Sequence, residues 1–350
     1  MDSLTQFALG ATIGAATLSR KIGPRRAVLV GGLLGTAPDL DVFLPFDGPI
    51  DSFVEHRGWT HSLIVHSALA PLIGLGLHRL FRARAPDLSA LGAVGVVWII
   101  LTTHALLDWT TTYGTQILWP LTDKPFALSW IFIIDPLYSL PLVIAVLGAL
   151  IAGSRWTRAP RGAAIALMLS TAYLGWTGVS QQIGRDKVEQ ALQAAGVEAE
   201  QITMIPMPFN SLLWRGIAID GDVYYNVYRS VFDRRAAAAL HPHPRGLLFD
   251  RALSDYRPPQ RVERFSNGNY AYRREGAQIL ISDIRMGVTP AYVFTFQVGT
   301  IADVAALGDA PPPAAAIQPA PIARVEPTRD MRGIDWLFRR IADEDAVREE

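Results

Sequence analysis

The stretch ALGAVGVVWIILTTHALLDW, residues 90–109, joins a long apolar run to a histidine and an aspartate at its end. A helix needs about 20 mostly apolar residues to cross a bilayer core of roughly 30 Å, and this stretch has that length. His104 and Asp108 are four positions apart, so they share one face of the helix. The stretch therefore predicts a membrane helix with two ionisable side chains near one end.

Comparable apolar segments fill the first 180 residues, and together they predict a membrane α-helical bundle of about six transmembrane or membrane-embedded helices. The six cover approximately residues 3–19, 27–46, 62–80, 90–108, 136–153 and 162–180. Basic residues concentrate in the short loops after the first, third and fifth segments, and such loops stay on the cytoplasmic side. With six spans, both ends of the bundle then lie on the opposite, outer side.

Composition separates the chain into two halves. It has 32 basic and 32 acidic residues, so its net charge indicates no nucleic-acid partner. Only 22 of these 64 residues lie in positions 1–180, which predicts that the two halves occupy different solvents. Cysteine is absent, so any metal must be held by nitrogen and oxygen atoms.

The second half has a different pattern from Arg185 onward, where β-branched and aromatic residues alternate in part and are broken by Gly, Asn and Pro. We predict a membrane domain at 1–182 and a mostly β extracytoplasmic domain at 183–305, which opens with a short helix around 184–196. Residues 306–328 are rich in Pro and Ala and predict an unstructured linker. Residues 329–350 predict a short amphipathic helix and a charged tail.

Four islands of ionisable residues interrupt the apolar half: PDLD (38–41), EHRGWTHS (55–62), HALLD (104–108) and IDP (134–136). The predicted topology places all four at the same membrane face. Ionisable side chains near a membrane are costly unless they are paired, hydrated or bound to an ion. Imidazole and carboxylate groups together bind zinc, manganese or iron. The candidate ligands are Asp39, Asp41, His56, His61, His104, Asp108 and Asp135.

Several of these residues have a second interpretation. Asp135 precedes Pro136, which is the pattern of a helix N-cap, and Asp39 follows a proline and fits a turn. Glu55 is a candidate general base or ligand, and Arg57 a candidate contact for an anionic oxygen. His66 is either a partner that orients a ligand or a packed membrane histidine.

The segments MDSLTQFALGA, GTAPDLD, HRGWTHS, HALLDWTTTYG and IDPLY, all within residues 1–180, resemble the YdjM-like family of membrane-bound, metal-dependent hydrolases. The resemblance implies a multi-pass inner-membrane protein with a His/Asp metal site and hydrolase activity. Many members of the family carry a histidine where this chain has Gln6, and an amide is a poorer ligand.

These observations together predict a hydrolase that uses a divalent metal, zinc before manganese or iron, to activate water at the outer face of the membrane. A site at headgroup level favours an ester or phosphoester of a membrane lipid or lipid-linked substrate. An envelope protein is a further expected partner, through the β domain. Two alternatives stay open: a transporter or ion-binding membrane protein, and a non-catalytic sensor or assembly factor with a structural metal.

Overall fold

The computed structural model describes residues 1–153, 157–302, 312–326 and 333–348. The chain forms two compact units, each described here by itself. The first comprises Met1–Leu44, His56–Val179 and Pro208–Ser211, and the second comprises Pro45–Glu55, Ser180–Met207 and Leu212–Glu350. The sequence placed residues 45–55 in the membrane domain, and this assignment was wrong. Ile50 and Phe53 of that segment are buried, and Phe53 packs against Phe265 of the second unit.

Helices dominate the N-terminal region, as predicted. They are α1 (Ser3–Ile22), α2 (Pro24–Thr36), α3 (Pro49–Glu55), α4 (Leu63–Phe81), α5 (Ala90–Trp109), α6 (Pro136–Ala152) and α7 (Ala159–Ala194). Among the described residues, α4, α5 and α7 are long and apolar enough to cross a membrane, and α6 is a shorter apolar helix of 17 residues. The predicted number of six crossings stays a prediction.

The second predicted span, residues 27–46, is not one helix. Helix α2 ends at Thr36, and residues Pro38–Phe43 form a 3-10 helix. Thirteen residues extend about 20 Å at 1.5 Å per residue, which is shorter than the bilayer core. Helix α2 instead packs tightly along α1 through glycines, since a Cβ added to Gly31 would lie 2.2 Å from the carbonyl oxygen of Gly10.

The sixth predicted span and the short helix expected at 184–196 are parts of one helix, α7, of 36 residues. Its residues up to Val179 belong to the first unit, and those from Ser180 belong to the second. The polar sequence QQIGRDKVEQ does not end the helix because it contains a single glycine and no proline, so helix propensity continues through it.

The second unit contains two four-stranded antiparallel sheets. One has the order β1-β2-β3-β4 and the other β10-β9-β6-β5, with β7 and β8 forming a separate pair. The first five strands are β1 (Gln201–Pro206), β2 (Leu213–Asp220), β3 (Val223–Ser230), β4 (Leu240–Pro244) and β5 (Tyr270–Glu275). The others are β6 (Gln278–Asp283), β7 (Gly287–Val288), β8 (Ala291–Tyr292), β9 (Thr295–Ile301) and β10 (Ile317–Val325). Helices α8 (Leu247–Ala252), α9 (Arg257–Phe265) and α10 (Gly333–Ala342) complete the unit. A β-rich domain thus follows the helical region, as predicted, and its extracytoplasmic side stays a prediction.

The predicted linker at 306–328 contains strand β10, so its assignment as unstructured was wrong for residues 317–325. Strand β10 pairs antiparallel with β9, and its register shifts between Pro319 and Ala323. Proline lacks a backbone N–H and is tolerated at an edge strand or a bulge, and β10 is an edge strand. Residues 306–311 and 327–328 of the predicted linker lie outside the described residues.

Candidate metal centre

Three elements bring four ionisable side chains together. Asp39 lies on the 3-10 helix Pro38–Phe43, and His61 ends a second short 3-10 helix that precedes α4. Helix α5 contributes His104 and Asp108 from one face. Ser62 fixes the junction after His61 because its hydroxyl caps α4 by accepting the N–H groups of the helix's first turn. One ligand atom of each residue, Asp39, His61, His104 and Asp108, lies within 4.8 Å of the others.

Five of the six separations between these four atoms are close to those of a tetrahedral metal site. His61 Nε2 and His104 Nε2 are 3.0 Å apart, and each is 3.4 Å from Asp39 Oδ1. Asp108 Oδ2 lies 3.2 Å from His61 Nε2 and 3.7 Å from His104 Nε2. Ligands about 2.0–2.1 Å from a tetrahedral zinc ion are separated by roughly 3.3–3.4 Å, which falls in the middle of the observed range.

Hydrogen bonds behind the two rings direct their free nitrogens inward. His104 Nδ1 lies 2.6 Å from the carbonyl oxygen of Gly35, which only accepts, so Nδ1 carries the hydrogen. Thr60 Oγ1 donates to Asp41 at 2.9 Å and therefore accepts from His61 Nδ1 at 3.0 Å. In the neutral rings both Nε2 atoms are then unprotonated and face each other. Two opposed lone pairs are unfavourable unless a cation lies between them.

The carboxylates also have unused oxygens. Among the described residues, buried Asp108 Oδ2 and Asp39 Oδ2 have no hydrogen-bond partner. Burial acts to raise the pKa of Asp39, but the neighbouring rings of His104 and His61 outweigh it, and the pKa of Asp39 lies below its ordinary value. Burial acts to lower the pKa of His61, but Asp108 and Asp39 raise this pKa by a larger amount, so the net shift is upward. The cluster thus attracts positive charge, and a metal ion binding there would displace a proton.

Asp41 and His56, also predicted as ligands, lie outside this four-residue cluster. Both oxygens of Asp41 are occupied, one by His56 Nδ1 at 2.9 Å and the other by the backbone N–H of Arg57 at 3.0 Å and by Thr60 Oγ1. Asp41 Oδ2 is 3.6 Å from His61 Nδ1, on the far side of that ring from the cluster. Asp41 and His56 therefore lie behind the His61 ring, where they can orient this ligand.

Arg57 is buried next to the cluster. Its φ is +62°, in the left-handed region that few non-glycine residues adopt. The guanidinium Nε lies 3.2 Å from Asp108 Oδ2, Nη1 donates to Thr111 Oγ1 at 3.0 Å, and the group stacks over Tyr113. The structure thus places this cation against a cluster carboxylate, and its predicted role as an anion contact stays a prediction.

Gln6 lies at the cluster through its amide nitrogen. Nε2 donates to Asp108 Oδ1 at 3.0 Å and to the backbone carbonyl of His104 at 3.2 Å, while buried Oε1 has no hydrogen-bond partner among the described residues. The amino group of Met1 also donates to Asp108 Oδ1. His66 Nε2 donates to the carbonyl of Thr60 at 2.7 Å and so supports the segment that carries His61.

Two predicted site residues lie elsewhere. Asp135 caps α6 by accepting the N–H groups of Leu137 and Tyr138, and its other oxygen accepts from Tyr173 at 2.9 Å. Burial raises the pKa of Asp135. The structure thus favours the cap interpretation. Glu55 belongs to the second unit, where its carboxylate pairs with Arg261 at 2.8 Å.

Sequence reasoning missed three contributors to the centre. The carbonyl of Gly35, the hydroxyl of Thr60 and the hydroxyl of Thr111 each fix a functional side chain. Thr60 lies within the island EHRGWTHS and Thr111 lies three residues after HALLD, so their positions were a usable signal. Gly35 gave no such signal, because a backbone carbonyl is present at every residue.

Two comparisons with known proteins found matches, one of which spans the helical half. The family model described as "YdjM inner membrane protein" matches residues 1–184, which is more than half of the chain. "Uncharacterized protein YfhP" of Bacillus subtilis (strain 168) is 31% identical over 155 residues, which are 42% of this chain and 45% of that protein. The chain thus spans under half of that relative's length, and no solved structure matches it. The match over residues 1–184 shows that the chain belongs to the YdjM inner membrane protein family.

Proposed function

We propose that the chain is a metal-dependent hydrolase of the inner membrane that cleaves an ester or phosphoester of a membrane lipid or lipid-linked substrate. The observation that carries this proposal is the convergence of four donor atoms, from Asp39, His61, His104 and Asp108, within 4.8 Å of one another. A divalent ion held there, zinc before manganese or iron, that took a water as a further ligand beside these four side chains would lower the pKa of that water to about 7 and supply a nucleophile at neutral pH.

The chain's own residues would bind the ion, orient its ligands and contact the substrate. The two rings and two carboxylates bind the ion, and the partners behind them hold each ring in one orientation. Asp108 is fully buried, whereas the Asp39 side chain is 15% exposed and marks the side from which a substrate approaches. Arg57, whose guanidinium lies next to Asp108, is a candidate cation for binding an anionic substrate oxygen.

A lipid substrate is supported by the surface beside Asp39. The 3-10 helix that carries Asp39 exposes Leu40, Val42 and Phe43, the last at 81%, and Trp59 is also exposed. Exposed apolar clusters of this kind mark membrane or ligand contacts, and tryptophan favours the headgroup level. The predicted position at the outer face completes the proposal.

Metal analysis of the full chain purified in detergent tests the centre. We expect about one zinc per chain, as for a single four-ligand site, and loss of most of it in His61→Ala and in Asp108→Ala. His78→Ala is the matched control, because His78 bonds only the carbonyl of Leu88 among the described residues. Undiminished metal in both cluster variants would show that the centre lies elsewhere.

Hydrolysis is tested separately, with phospholipids and lipid-linked phosphoesters in mixed micelles. We expect turnover that chelation abolishes and added zinc restores, and that Asp39→Ala removes. A protein that binds metal at these residues but hydrolyses nothing would favour a structural metal instead. The closed, four-residue donor set is the observation that supports this second candidate, since structural zinc sites use four protein ligands.

A further inference from the structure

The chain leaves the centre and returns to it through a segment that packs in the second unit. Asp41 and His56 both belong to the first unit, and their side chains meet at 2.9 Å. Between them, residues Pro45–Glu55 belong to the second unit and contain α3. Glu55, the last residue of α3, is bonded directly to His56. Whatever holds α3 therefore limits where His56 and Arg57 can lie.

Aromatic packing holds α3 inside the second unit. Phe53 is 3% exposed, and its ring centroid lies 4.6 Å from that of Phe265 at the end of α9, in an edge-to-face arrangement. It also lies 4.6 Å from the ring of Phe294 and 5.5 Å from that of Phe296 in β9. A ring in contact with three others has few alternative positions, so α3 is fixed against α9 and β9.

Two ion pairs of Arg261, which we call the charged clasp, fix the rotation of α3 about its axis. Asp51 and Glu55 are four positions apart on one helix face, and Arg261 of α9 donates to both, to Glu55 at 2.8 Å. The three side chains are each between one third and one half exposed, so the clasp orients the helix more than it stabilises the fold.

A chain of hydrogen bonds leads from the end of α3 to the metal ligands. His56 Nδ1 and the backbone N–H of Arg57 bond Asp41, and Asp41 accepts from Thr60. Thr60 in turn accepts from His61 Nδ1, whose other nitrogen faces the cluster. A shift of residues 56–57 would therefore alter the orientation of the His61 ring.

We propose that the second unit positions the candidate metal centre by holding α3, with Phe53 and Arg261 as positioning residues. The metal part of this inference rests on the proposed function, whereas the ordering of residues 56–62 does not. The role of the β-rich unit is then to hold the segment Pro45–Glu55, which precedes His56 and Arg57 in the chain.

Hydrogen exchange of the full chain in detergent tests the ordering directly. We expect the amides of residues 56–62 to exchange several-fold faster in Arg261→Gln and in Phe53→Leu than in the natural chain, and Arg261→Lys to restore slow exchange. Arg185→Gln is the matched control, since Arg185 is similarly exposed and pairs with Glu189 at 2.8 Å within the same unit. Unchanged exchange of residues 56–62 in both test variants would overturn the inference.

Metal affinity and the visible spectrum of the Co²⁺-loaded protein form the second readout. We expect Arg261→Gln to weaken metal binding about tenfold, the lower end for loss of a partner that orients a ligand, and to shift the Co²⁺ bands. A natural chain that binds no metal while residues 56–62 still loosen would overturn the proposed function and support the positioning role. Unaltered affinity and spectrum, with exchange accelerated, would overturn the link between α3 and the ligands.

Discussion

Gln6 is buried beside the metal cluster, on helix α1. Its Nε2 donates to Asp108 Oδ1, so its contribution is to hold a ligand. We expect Gln6→Met, which keeps the size and removes the donor, to weaken zinc binding about 10- to 100-fold, the usual effect of losing such a partner. Competition with a chromophoric chelator measures it. Affinity equal to that of the natural chain would show that Asp108 needs no support from Gln6.

Spacing in the sequence selected the right islands but not the geometry within them. Asp39 and Asp41 were expected to point the same way from an extended turn. They lie on a 3-10 helix, with about three residues per turn, so side chains two positions apart point roughly 120° away from each other around the helix axis. Asp39 consequently faces the cluster, whereas Asp41 bonds His56 behind His61. His104 and Asp108 were placed correctly on one face because the four-residue spacing of an α-helix is unambiguous.

At the scale of elements, the α1–α2 hairpin supports the centre through backbone contact. A Cβ on Gly31 would lie 2.2 Å from the carbonyl oxygen of Gly10 and 3.0 Å from the Cα of Gly14. Gly31→Ala should therefore force the helices apart and destabilise the chain by about 1–3 kcal/mol. It should also weaken metal binding, because Gly35 on the same helix holds His104.

Thermal unfolding in detergent measures this effect, with Gly95→Ala as the control. A Cβ on Gly95 meets nothing within 4 Å, so alanine there should be neutral or should stabilise α5 by up to about 1 kcal/mol. Equal melting temperatures for Gly31→Ala and Gly95→Ala would contradict the close packing.

The segment after α10 is held by a carboxylate whose protonation is testable. Glu344 accepts the backbone N–H groups of Arg234 and Arg235 and the Arg235 side chain, and these bonds lower the pKa of Glu344 from 4.5 to about 2. The stabilisation is present above pH 4.5 and is lost as the pH falls toward 2. We expect the Arg234 and Arg235 amides to exchange faster over that interval, relative to the intrinsic rate. Glu344→Gln should exchange fast throughout, and a response identical to the natural chain would contradict this assignment.

Two elements show what composition cannot predict. The apolar pattern of residues 27–46 continues past Thr36, but the chain turns into a 3-10 helix there, and hydropathy carries no information on that turn. Strand β10 was hidden because Pro319 and Pro321 are typical of linkers; an edge position accommodates them because its outer N–H groups need no partner. Long, strongly apolar helices such as α4 and α5 were predicted to within two residues because their length and composition suffice.

At the scale of the whole molecule, the change from long apolar runs to partly alternating β-branched and aromatic residues correctly separated a helical half from a β-rich half. It did not assign residues 45–55, because the second unit gains that segment by tertiary packing of Phe53 and Ile50. An eleven-residue stretch has no composition of its own from which to predict this. The same limit applies to the membrane side of each loop, which follows from how many helices cross.

The natural absence of cysteine makes the topology directly measurable, since a single introduced cysteine is the only thiol. We expect a membrane-impermeant maleimide to label Asp123→Cys and Ala236→Cys in spheroplasts, but to label Ala83→Cys only after lysis; all three positions are exposed. Asp123 and Ala236 are separated by α6 and α7, so they lie on the same side only if both helices cross or neither does. Labelling of Asp123→Cys without Ala236→Cys would show that only one of α6 and α7 crosses, and would place the β-rich unit on the cytoplasmic side.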